Sequence, residues 1–87
     1  MGNIEDIKNI LKEGNVIIGA EETIKSLRAG KINKIYLTLN CSEIIKEEIK
    51  NFSSINNVKI VQLKIPGSEL GAICKKPFSI SVLGVAK

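Results

Sequence analysis

Apolar residues in this chain fall into short runs whose spacing alternates between a helical and a strand-like period. Ile4, Ile7, Ile10 and Leu11 recur at helical intervals behind Asn3, a capping residue with Asp6 three positions on, and Gly14 stops the run. Residues 16–18 are a brief, wholly apolar strand. Residues 21–29 predict a second helix burying Ile24 and Leu27 beneath a charged face, with Gly30 behind it. Residues 35–39 predict a β-rich strand ending at Asn40. Ser42 then caps a third helix with Ile45, Ile49 and Phe52 as its inward stripe and Ile44 beside it, while Lys46, Glu47 and Lys50 face water. Residues 53–57 read as a polar turn and 58–63 as a third strand. The turn chemistry of 64–67 leads to a short helix over 69–74, capped by Ser68, interrupted by Gly71 and shut off by Pro77. Residues 80–85 make the last strand.

Helix and strand thus alternate through the chain with short connections. That order predicts helices on both faces of one sheet: a three-layer α/β/α sandwich with a central four-stranded mixed sheet, formed as a single domain over 1–87. The length of 87 residues lies near the lower end of what one hydrophobic core supports. An apolar content of 44% argues against disorder, and sixteen isoleucines against three aromatics (Tyr36, Phe52, Phe78) make the core aliphatic.

The composition narrows the chemistry. A formal charge of +4 leans toward a polyanionic partner. There is no histidine, and Cys41 and Cys74 lie far apart, so a four-ligand zinc site cannot be assembled. One disulfide is arithmetically allowed, but the apolar company of both cysteines predicts buried free thiols. No run approaches the roughly 18 apolar residues of a membrane helix and the N-terminus has no apolar signal region, so a soluble, cytoplasmic protein is expected.

The stretch most charged with chemistry is Gly19-Ala20-Glu21-Glu22-Thr23-Ile24-Lys25, a glycine turn entering a helix. Gly19 has no Cβ and lets another molecule approach the backbone, and the first helical amides lack intrahelical partners and suit an electronegative ligand. Lys25, Arg28, Lys31 and Lys34 recur every three residues behind it. Spacing alone favours a plain surface helix, with Glu21 and Glu22 offsetting the dipole and Gly30 as its C-cap. The turn is not a P-loop, because Ile24 rather than glycine precedes Lys25. No Gly-x-Gly-x-x-Gly is present, and no histidine serves a nucleophile. Glu21 and Glu22 point about 100° apart and do not form an acid/base pair. No catalytic residue, metal, cofactor or small-molecule substrate is expected.

Taken together, the residues from Gly19 to Lys31, the strand ending at Asn40, Ile65-Pro66-Gly67-Ser68-Glu69-Leu70-Gly71 and Lys76-Pro77-Phe78-Ser79-Ile80-Ser81-Val82 resemble one superfamily across essentially the whole chain. It comprises ribosomal proteins L-seven-Ae and L-thirty-e and their relatives, the kink-turn RNA binders of archaea and eukaryotes. The ending and Asn40 look most like the archaeal L-thirty-e branch. The resemblance implies a large-subunit ribosomal protein that binds and stabilises a kink-turn in rRNA, touches neighbouring ribosomal proteins and is monomeric when free. A kink-turn carries tandem sheared G·A pairs, which leave the guanine N1–H and O6 open in a widened groove. The resemblance assigns Glu22 to accept from N1–H and Lys25 to donate to O6, with Gly19, Ala20, Glu21 and Thr23 completing the turn. Arg28, Lys31 and Lys34 would track phosphates. Ile65, Pro66, Gly67, Ser68 and Glu69 would border an unstacked base, and Asn40 would contact RNA.

Two positions depart from that pattern. Glu21 stands where the superfamily usually has asparagine, which predicts weaker binding to an isolated kink-turn. The aromatic of the second loop is missing, with Ile65 or Pro66 in its place, so stacking there would be poorer. Two other readings remain: a stand-alone RNA binder of a small ribonucleoprotein, like L-seven-Ae, and a protein-interaction module that kept the fold and lost RNA binding.

Overall fold

A computed structural model describes the backbone of residues 3–86 and the side chains of 5–86, so the capping expected of Asn3 and the stripe position of Ile4 lie outside the described residues. The elements are α1 (Asn3–Glu13), β1 (Val16–Ile18), α2 (Ala20–Arg28), β2 (Ile32–Leu37), α3 (Glu43–Asn56), β3 (Lys59–Gln62), α4 (Gly67–Ile73) and β4 (Val82–Ala86). The sheet order is β1-β4-β2-β3. β4 runs antiparallel to both β1 and β2, whereas β2 and β3 are parallel and joined through α3. The sheet is therefore mixed.

Alternation along the central strands sends side chains to two cores. Tyr36, Leu63 and Leu83 pack with Ile7 of α1 and Leu70 of α4 on one face. Ile35, Leu37 and Val82 pack with Leu27 of α2 and Ile49 of α3 on the other. The four helices thus divide between the faces, giving the α/β/α sandwich. Cys74 belongs to the first core and Cys41 to the second, so the sheet separates them and both are free. Burial raises the pKa of each thiol. A nearby lysine (Lys46 for Cys41, Lys76 for Cys74) opposes this more weakly.

Local structure departs from the sequence expectation at instructive places. β2 begins at Ile32, three residues before the expected start, because a register shift between Ile32 and Lys34 breaks the period of two. Ile32 and Ile35, an odd number of positions apart, consequently enter the same core. The strand also stops at Leu37 rather than Leu39. Thr38 turns out of it, with its N–H and its hydroxyl both donating to the Ser81 carbonyl at 3.1 Å.

The polar stretch 53–57 is not a turn. α3 continues through it with Ser53 buried on its inner side, and Asn56 Nδ2 donates to the carbonyls of Leu27 (3.2 Å) and Phe52 (3.1 Å), binding the ends of α2 and α3 together. The helix ends at Asn57, whose φ of 55° is left-handed, with the Val58 N–H returning to the Ser53 carbonyl at 3.0 Å.

The fourth helix starts at Gly67, so Ser68 lies in its first turn and is not its cap. The Pro66 carbonyl accepts from the N–H groups of Glu69 and Leu70, both at 3.1 Å. Gly67 itself lies against the Ile80 backbone, where a Cβ would come within 2.9 Å of the carbonyl oxygen. On the other face a Cβ at Gly84 would meet Thr23 Cγ2 at 2.9 Å and Ile32 Cδ1 at 3.1 Å, so this glycine lets α2 settle directly onto β4.

Candidate nucleic-acid interface

Register gathers the functional loops at one end of the sheet. Ile18 pairs with Leu83, and Leu37 pairs with both Val82 and Gln62, so the ends of β1, β2 and β3 meet the start of β4. Backbone bonds extend this stitching into the loops. The Gly19 N–H donates to the Val82 carbonyl (3.1 Å), that of Leu63 to Leu37 (2.8 Å) and that of Leu39 to Ile65 (2.9 Å). With two strands between them, β1 and β3 deliver their loops about 14 Å apart, three interstrand spacings.

Gly19 adopts φ 105° and ψ 148°, a conformation that side chains resist, and nothing in the protein comes within 4 Å of where its Cβ would be. The backbone is bare there. α2 starts without a side-chain cap, and the Thr23 N–H is bonded to the Gly19 carbonyl at 3.1 Å. The amides before Thr23 are left to other partners. Glu22 and Lys25 are both exposed and stand one turn apart. Glu21 is also exposed, but it lines a shallow groove between α2 and α3 with Ile24, Lys25, Arg28 and Glu48. Thr23 is completely buried, its hydroxyl 3.4 Å from the Ile17 carbonyl. It offers nothing to a visiting molecule and instead seats α2 on the sheet.

Asn40 ties the 64–67 loop to the segment that follows β2. Its Oδ1 accepts from the Gly67 N–H at 3.0 Å and lies 3.3 Å from the Thr38 hydroxyl oxygen, whose proton goes to Ser81. This use of the oxygen leaves Nδ2 as the outward donor. Ile65 and Pro66 are half-buried, Ser68 and Glu69 exposed, and Gly67 buried. Gly67 therefore acts through its backbone position.

Arg28, Lys31 and Lys34, which the resemblance expects to track phosphates, do not share one face. Arg28 is held with its guanidinium carbon 5.4 Å from the centre of the Phe52 ring, on the α2/α3 side. Lys34 lies on the opposite face, its ammonium 3.5 Å from the Tyr36 hydroxyl and 5.5 Å from the ring centre. Lys31 and Lys34 also flank the start of β2, at the far end of the sheet from Gly19. Even spacing in the sequence conceals this, because the chain leaves its helix at Gly30 and returns as a strand.

Two further apolar residues are exposed at this end of the sheet. Leu39 is 62% and Phe78 is 55% exposed. Phe78 borders a groove of about 370 Å³ whose walls include Gly19, Ala20, Ile45, Lys76 and Ser81. Phe78's one signal is an aromatic set between Pro77 and Ser79, with no helical or strand periodicity to claim it. The assembled surface offers a carboxylate acceptor, ammonium and amide donors, a bare stretch of main chain and an exposed ring. Among the described residues no cluster of metal-ligating side chains occurs.

Comparison with known proteins adds three findings. A family model described as ribosomal protein L7Ae/L30e/S12e/Gadd45 family matches residues 4–87. The chain is 35% identical to large ribosomal subunit protein eL30 of Sulfolobus acidocaldarius over 80 residues, covering 92% of this chain and 77% of that one. It is 37% identical to the protein of the same name from Archaeoglobus fulgidus over 81 residues, covering 93% and 90% respectively. Among solved structures, a Giardia lamblia 15.5kD RNA binding protein superposes with a TM-score of 0.79 at 17% identity, over 97% of this chain and 70% of that one. A Bacillus halodurans protein with unknown function superposes at 0.84 and 14% identity, over 97% of this chain and 83% of that one. At such identities the two structures bear on the fold alone.

Proposed function

The chain belongs to the ribosomal protein L7Ae/L30e/S12e/Gadd45 family, and from that premise we propose that it is a protein of the large ribosomal subunit that binds rRNA at a kink-turn and holds it bent. The observation that carries this reading is the exposed pair Glu22 and Lys25 beside the bare backbone of Gly19, at the end of the sheet that also presents Asn40 and the Ile65–Pro66 loop. The Glu22 carboxylate accepts from guanine N1–H while the Lys25 ammonium donates to O6. A sheared pair leaves both groups open together, whereas a Watson–Crick pair occupies them. Asn40 Nδ2 donates from the second loop. Phe78 supplies the ring that the Ile65–Pro66 loop lacks, stacking on an unpaired base. Arg28 adds a phosphate contact.

No bond is made or broken. The protein works in the cytoplasm, on the ribosome, by selecting one RNA conformation, and its free form is a monomer.

A gel-shift titration tests this proposal. The protein shifts a kink-turn RNA and fails to shift the same RNA with its tandem G·A pairs replaced by Watson–Crick pairs; equal shifts reduce it to a generic basic domain. The salt dependence locates the phosphate contacts. Arg28→Ala lowers the slope of log K against log salt by about one, and Lys34→Ala leaves it unchanged, because Lys34 lies across the sheet.

A further inference from the structure

On the face of the sheet away from α2, helices α1 and α4 leave an open groove of about 580 Å³ lined by Lys8, Leu11, Lys12, Ile73, Cys74 and Lys75. Leu11 and Ile73 are only half-buried, and with the Cys74 thiol they give the groove an aliphatic floor. The three lysines are exposed and form its rim. No carboxylate lines it, and none of the three lysines is in an ion pair among the described residues. Lys75 adopts a left-handed φ of 59° just past the end of α4, a conformation glycine or asparagine takes with less strain. A lysine held there keeps an ammonium at the groove mouth.

We propose that this groove docks an acidic, aliphatic-bearing peptide segment of a partner protein. Carboxylates would meet the lysine rim, and a leucine- or isoleucine-sized side chain would cover the floor. Charge complementarity decides the sign of the partner. The floor decides its class: there is no aromatic for a base to stack on, and the floor side chains give a base edge little to pair with. A protein gripped at this site could sit on the particle while the opposite layer, with α2, engages RNA.

The test uses the full chain labelled with nitrogen-15, titrated with an acetylated, amidated Glu-Glu-Leu-Glu-Glu-Leu peptide. Amide shifts are expected to cluster at residues 8–12 and 73–76, and to disappear with the Lys-Lys-Leu-Lys-Lys-Leu analogue. The K8E/K12E/K75E variant, all at exposed positions, is expected to bind the acidic peptide at least about tenfold more weakly while still shifting kink-turn RNA. Peptide shifts centred on residues 19–28, oligouridylate occupying the groove in preference to the peptide, or no perturbation at millimolar peptide would each overturn the proposal.

Discussion

Replacing Gly71 by alanine is expected to destabilise the protein by about 3 kcal/mol, at the upper end of the usual cost of overpacking. The added Cβ would run into the Phe78 carbonyl oxygen, with the Phe78 carbonyl carbon at 3.1 Å and Ser79 Cα at 3.5 Å behind it. All three are backbone atoms, so no rotamer change relieves the contact. A small domain holds only about 5–15 kcal/mol in total, so such a loss is a large fraction of its stability. The residual folded population would also have Phe78 displaced from the edge of the Gly19 groove, coupling stability to RNA affinity. Urea midpoints at constant m-value measure the first effect. Ala72→Gly, at the exposed neighbouring position, serves as the control and is expected to cost only about 0.5–1 kcal/mol. Equal midpoints for the two variants would show that α4 and the loop after it are not in close backbone contact.

Lys25→Ala is expected to weaken kink-turn binding by roughly 1–3 kcal/mol, or about 5- to 150-fold, as for loss of a base-edge contact. Folding stability should stay within about 0.5 kcal/mol of the parent, since the side chain is exposed and carries no core contact. Lys31→Ala, at the far end of α2, should leave affinity nearly unchanged. Isothermal titration at fixed salt separates the two. If the variants lost affinity equally, Lys25 would be acting as a diffuse charge and not as a reader of guanine.

The order of elements and their division into three layers follow from alternating apolar periods, because each helix and strand buries a face set by its own period. What escapes that pattern has particular causes. The bulge at Ile32–Lys34 hides the start of β2 by placing two isoleucines of opposite parity in one core. Asn56 and Asn57 look like turn residues, yet one side chain bonds across to α2 and the other residue supplies the left-handed stop, so α3 runs on between Ser53 and Asn56. Gly67 opens α4 because the Asn40 side chain takes its N–H, a contact across 27 residues.

The site is legible in part for the same reasons. The Gly19 turn and the Glu22/Lys25 pair are local, and local patterns survive folding. Thr23 reads as a surface residue because its neighbours are, whereas its helical position turns it onto Gly84. A regular interval joins Lys34 to Lys25 in the sequence, and the change from helix to strand removes that link. Phe78 reaches the groove only because β4 lies between β1 and β2, a pairing that spacing does not reveal.

The most direct measurement is a cycle pairing Lys25→Ala with 2-aminopurine in place of the sheared guanine. That base keeps the amino group and N3 used in the sheared pair and lacks both O6 and N1–H. If Lys25 reads the guanine O6, Lys25→Ala weakens binding by about 1–3 kcal/mol. The base change costs more, because it also removes the N1–H from which Glu22 accepts. The two together cost little more than the base change alone, because the Lys25–O6 contact is common to both. Strictly additive losses would mean that Lys25 and the guanine edge never meet.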